Sequence, residues 1–133
     1  MDTEILLFTE SIGAKAPNPS SENYLQFKAI FKRSNYFIFR GSFMIVKISR
    51  SKKPFWGVGK KYLDLLDHTT NYYVVLLINE REGYVFQKSD IKKAISRQDW
   101  KLAKDENFKI NFPISGRHAF TSRDGFMKIA EGG

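Results

Sequence analysis

The chain has 133 residues, 42% apolar and 15% aromatic, which supplies one core and excludes a largely disordered polypeptide. Cysteine is absent, which excludes disulfides, thiolate metal sites and cysteine catalysis. The net charge of +8 is unevenly spread, since ten of the 22 Lys and Arg but none of the 14 acids lie between positions 23 and 63, a clustering that attracts polyanions.

The first ten residues, MDTEILLFTE, begin acidic rather than basic, unlike a secretory leader. No apolar run approaches the roughly 18–20 residues of a bilayer span, so a soluble cytoplasmic protein of one domain, 1–133, is expected, with no membrane partner. The run Ile5-Leu6-Leu7-Phe8 has no decisive period; it can pack on a sheet or meet a second copy, which leaves the oligomeric state open. KAPNPSSEN reads as a loop. YLQFKAIFK then alternates, with Leu25, Phe27, Ala29 and Phe31 on one face, as a strand does. YFIFR and SFMIVKIS follow as two more strands, with the turns KRSN and RGS completing an antiparallel meander.

SRSKKPFWGVGKK (49–61) reads as a loop running into a helix, with Val58, Tyr62, Leu65 and Leu66 at helical spacing. NYYVVLLIN is apolar almost throughout, as a strand covered on both faces should be. EREG turns, with Gly83 available for positive φ, and YVFQ returns as a strand. KSDIKKAISRQ reads as a helix capped by Ser89, with Asp90 at the positive end of its dipole and Ile91, Ala94 and Ile95 inward. FKINFPI is a further strand, and SGRHAFTSRDGFMKIAEGG is too rich in turn residues to order. The expected fold is α+β: a mixed sheet with an antiparallel three-strand meander, then a helix, a buried strand, a hairpin strand and a helix.

If the meander buries Leu25, Phe27, Phe37, Phe39, Met44 and Val46, its other face presents Tyr24, Lys28, Lys32, Tyr36, Arg40, Phe43 and Lys47. Cations for phosphates beside rings for bases is the logic of single-strand platforms. The alternative is that a helix covers this face and the lysines reach out from its rim. Within 49–61, the glycine pair either brings backbone N–H groups to a phosphate or belongs to an ordinary surface loop. It is no Walker loop, because Pro54 stands where Gly is required and Lys61 where Ser or Thr is. The third glycine of a dinucleotide fingerprint is missing too. Trp56 is either a core anchor or a stacking partner.

SFMIVKISRS, followed by a helix and YYVVLLI, resembles the core of restriction-endonuclease-like nucleases over about residues 24–80. The resemblance implies a strand bearing an acid-x-Lys pair, a metal held by that acid and an upstream one, and a lysine that assists the attacking water. Lys47 matches the lysine, but the acid's position is Ile45, and the nearest upstream acid is Glu22. A divalent metal needs carboxylates to hold it, so the departure implies binding without cleavage, with neither metal nor cofactor. Elsewhere, His68 ends a helix, where a cation suits the dipole. His118, beside Arg117, has the chemistry of a general acid or base in a metal-free ribonuclease.

The expected function is a nucleic-acid-binding module for DNA or RNA without catalysis. Phosphates would meet Lys28, Lys32, Arg33, Arg40, Lys47, Arg50, Lys52, Lys53, Lys60 and Lys61, and bases would stack on Tyr36 and Trp56. Two alternatives remain open: a nuclease acting through Lys47 and Glu22 or through His118 and Arg117, and an interaction domain that turns the same basic surface to an acidic protein partner.

Overall fold

Alternating side chains between Tyr36 and Ile48 build a hairpin from Tyr36–Phe39 (β1) and Ser42–Ile48 (β2), with Tyr36 opposite Ile45 and Phe39 opposite Ser42. Arg40 and Gly41 form its two-residue turn at φ 50° and 80°, the left-handed geometry that matches strand twist. The computed structural model describes residues 2–17, 35–111 and 114–132. The strand expected over 24–32 lies outside the described residues.

The N-terminal helix is Thr3–Ile12 (α1), and Phe55–Gly59 (β3) leads directly into the helix Lys60–Leu66 (α2). Tyr72–Leu77 (β4) then runs parallel to β2, and Gly83–Gln87 (β5) returns antiparallel to β4. The helix Lys88–Ser96 (α3) precedes Lys101–Leu102 (β6) and Asn107–Asn111 (β7). A 3-10 turn at Gly116–His118, the short strand Ala119–Phe120 (β8) and the helix Arg123–Gly132 (α4) complete the described chain. The strands form a mixed sheet, β1-β2-β4-β5-β8, and a smaller antiparallel sheet, β3-β7-β6. The α+β class with a mixed sheet is therefore the observed architecture.

Both faces of the mixed sheet are covered. Phe37, Phe39, Met44, Val46, Tyr73, Val75 and Leu77 pack against Ile5, Phe8 and Ile12 of α1 and Phe126 and Ala130 of α4. On the other face, Phe43, Ile45, Tyr72, Val74, Leu76 and Phe86 meet Trp56 and Val58 of β3, Phe108 and Ile110 of β7, and residues of α2 and α3. Each fully buried side chain of this size contributes roughly 1.5–3 kcal/mol of transfer free energy. The open basic platform expected around Phe43 and Lys47 is thereby corrected: Phe43 is 6% exposed and Ile45 fully buried, because the small sheet lies over them.

Four local readings change as well. Pro54-Phe-Trp-Gly-Val-Gly is not a loop entering a helix: Val58 lies in β3, and the helix starts only at Lys60. The turn at 79–82 is made by Asn79, whose Oδ1 accepts the N–H groups of Arg81 and Glu82, both at 2.9 Å. Gly83 has no positive φ; it is needed because a Cβ there would collide with the Leu76 carbonyl oxygen. The cap of α3 is Gln87 rather than Ser89, in a capping box where the Asp90 carboxylate accepts the Gln87 N–H at 2.9 Å. The run at Ile5 is helical and packs on the sheet, ending at Gly13 with φ 75°. Among the described residues, no helix is long and apolar enough to cross a membrane.

Candidate nucleic-acid interface

The segment without acids acquires them from elsewhere in the fold. Arg40 reaches Glu131 at 2.8 Å, and Lys60 reaches Asp64 at 2.6 Å. Arg50 clamps the first turn of α1 through Glu4 at 2.6 Å and Asp2 at 2.8 Å. Those hydrogen bonds push the Arg50 pKa further above its ordinary value and lower that of Glu4. Such exposed pairs contribute little stability, but they neutralise charge. Lys47, Lys52, Lys53 and Lys61 make no ion pair among the described residues. Glu22, Lys28, Lys32 and Arg33 lie outside the described residues.

Lys47 is half-buried near the end of β2. Burial pushes its ammonium below the ordinary lysine range, with the Tyr62 phenol acting in the opposite sense. Two residues earlier, Ile45 fills the core where the nuclease resemblance would place an acid. Tyr36 is half-buried beside Phe43, ring centres 6.4 Å apart, and packs against that same core.

Trp56 requires a correction. It is 2% exposed, its indole N–H donates to the Leu77 carbonyl at 3.1 Å, and Tyr84 meets it edge-on at 6.0 Å. Strand alternation turns Trp56 and Val58 inward, so this ring is a core anchor and offers no face to a base.

The same alternation turns Phe55, Gly57 and Gly59 outward. The β3–β7 register sets Asn111, Lys109 and Asn107 opposite them in that order, and Lys101 lies opposite Lys109 on β6. Phe55 is 53% exposed. Among the described residues, a Cβ on Gly57 would meet only the Lys109 Nζ, at 3.9 Å, so they leave the floor there bare. Gly59 is roofed by the Tyr62 ring, which a Cβ would approach to 2.9 Å, and the Lys61 ammonium lies 5.3 Å from that ring's centre. Lys52 and Lys53 lead into this face and Lys61 leads out of it. Lys109 pairs with Asp105 at 3.0 Å.

Phe55, Tyr62, Lys101, Lys109, Asn107 and Asn111 were not singled out from the sequence. The usable signal was that adjacent Phe55 and Trp56 must face opposite ways once 55–59 is a strand. The helix start, one of whose two readings was a phosphate site, is closed, because the Lys60 N–H donates to the Glu106 carbonyl at 2.9 Å and Tyr62 covers Gly59.

His118 and Arg117 belong to a different region. The His118 ring stacks on Phe86 at 4.3 Å, beside a cavity of about 280 Å³ that Trp100 and Asn111 also line. Burial holds the His118 pKa below its ordinary value; Asp90 and the Val85 backbone oppose this, and Arg117 adds to it. Arg117 donates to Asp90 at 3.1 Å, so its guanidinium is already engaged. His68 is exposed just beyond α2. Among the described residues, no three His, Asp or Glu side chains are grouped to hold a metal ion. No protein-family model matches the sequence, and comparisons with curated proteins and with solved structures return no match.

Proposed function

We propose that the protein binds nucleic acid without cleaving it, through the lysines of the basic segment that no carboxylate neutralises among the described residues. The carrying observation is the partition of the basic segment. Arg40, Arg50 and Lys60 are spent on Glu131, Asp2, Glu4 and Asp64, whereas Lys47, Lys52, Lys53 and Lys61 remain around β3. Lysine ammonium groups bind phosphates by releasing condensed counterions, which supplies affinity without sequence choice.

Fluorescence anisotropy of labelled oligonucleotides, repeated between about 50 and 200 mM salt, tests this reading. Affinity should fall steeply with salt. Joint replacement of Lys52, Lys53 and Lys61 by Ala should flatten that dependence by roughly two units of slope, about 0.7–0.9 per lost contact. Arg50→Ala should leave it nearly unchanged. Absence of binding at low salt would overturn the proposal and favour an acidic protein partner.

A further inference from the structure

We infer that the ligand is single-stranded nucleic acid, lying across the outer face of β3-β7-β6 with bases against Phe55 and Tyr62 and its backbone over Gly57. The inference rests on the nucleic-acid reading and names the strand class.

Gly57 carries the argument. Glycine inside a strand weakens it and otherwise marks a bulge, a bend or a close approach of something else. Gly57 sits in an unbroken pairing register, with Trp56 opposite Ile110 and Val58 opposite Phe108 on either side. It has no positive φ, and a Cβ would find open space up to the Lys109 ammonium at 3.9 Å. Packing within the described protein therefore does not require glycine at position 57. Gly83 shows the contrast, since there the backbone of β4 forbids a side chain.

The two ends of this bare stretch carry rings. Phe55 stands half-exposed at one end, and the Tyr62 ring lies on Gly59 at the other. Four residue-to-residue steps separate positions 55 and 59, roughly 13 Å at about 3.3 Å per step. A chain lying between the rings would pass directly over Gly57, beside Lys101 and the Lys109–Asp105 pair, with Lys61 at the Tyr62 end. Asn107 and Asn111 lie opposite Gly59 and Phe55, at the two ends of the stretch. A duplex hides its base faces within its own stack, whereas a single strand offers them to aromatic side chains. Flat rings, a bare floor and flanking ammonium groups thus complement one ligand class.

The experiment measures anisotropy of single-stranded DNA, single-stranded RNA and duplex DNA of equal length at low salt. The proteins are the wild type, Phe55→Ala, Gly57→Val and Lys52→Ala/Lys53→Ala. Both single strands should bind more tightly than the duplex, the better of them revealing which sugar is preferred. Phe55→Ala should weaken single-strand binding roughly tenfold, the usual loss for one stacking ring, and leave duplex binding unchanged. Gly57→Val should do the same with an unchanged thermal midpoint; Phe55→Ala, altering an exposed side chain, keeps the test independent of folding. The double lysine variant should weaken all three probes. Equal binding of duplex and single strands, with Phe55→Ala silent, would overturn the single-strand inference and leave the nucleic-acid reading standing. No binding of any probe would overturn both.

Discussion

The two sheets of this protein differ in how many faces the rest of the chain covers. The mixed sheet lies between α1 and α4 on one side and the small sheet with α2 and α3 on the other. All six residues of β4 are consequently buried. Among the described residues, the small sheet has only its inner face covered, and β7 alternates between buried Phe108 and Ile110 and the more accessible Asn107, Lys109 and Asn111. A side chain between two covered faces is committed to packing, and a ligand cannot reach it without opening the core. A face covered once is free to carry chemistry, and the aromatic and cationic groups around β3 gather on such a face.

The largest effects should separate the two sheets by stability. Trp56→Ala should lose about 3–5 kcal/mol in urea unfolding, as large-to-small changes of core aromatics do. Gly83→Ala should also be strongly destabilising, because the new methyl meets the Leu76 backbone. Gly57→Ala should instead be neutral or stabilising by up to about 1 kcal/mol, since a strand residue gains from a side chain where nothing clashes. Equal losses at Gly57 and Gly83 would break the comparison.

A smaller effect is expected at Lys47, which sits at the margin between the covered face and the open one. Its half-buried ammonium makes no ion pair among the described residues, and burial disfavours its charge. Lys47→Met should raise the thermal midpoint while lowering nucleic-acid affinity several-fold. A variant that lost both stability and affinity would show that the ammonium, which Met lacks, and not the stem, which Met largely keeps, stabilises the fold there.

The smallest effect is a pH dependence in the region of His118. Its native pKa lies below the ordinary value, so between the two values the unfolded chain binds more protons than the native one. Stability should therefore fall as pH drops through about 6.5 toward the native pKa and level off below it. His118→Phe, which keeps an aromatic ring on Phe86, should remove this component; urea midpoints at about pH 7.5 and pH 5.5 would measure it. An unchanged pH profile would assign the loss to other groups.

Much of the local structure was legible from spacing alone. Alternation over 36–48 specified a hairpin, a six-residue apolar block specified β4, and Ile91 and Ala94 marked the buried side of α3. The C-terminal helix was hidden because Gly125 and its polar neighbours mask the four-residue spacing of Phe126 and Ala130. The outer face of β3 was hidden because glycines and lysines read as a loop until a partner strand exists.

By itself, the sequence determined what neighbours in the chain can settle: strand and helix periods, the Arg40-Gly41 turn, and a basic segment without acids. Only the tertiary structure decided which charges remain available. Glu131 lies 91 positions from Arg40 and Glu4 lies 46 from Arg50, and no local pattern joins residues so far apart. It also decided which face of each strand is covered. Trp56 went inward and Phe55 outward because 55–59 pairs with 107–111 over the mixed sheet, and covering is a property of what packs against a strand, not of the strand itself.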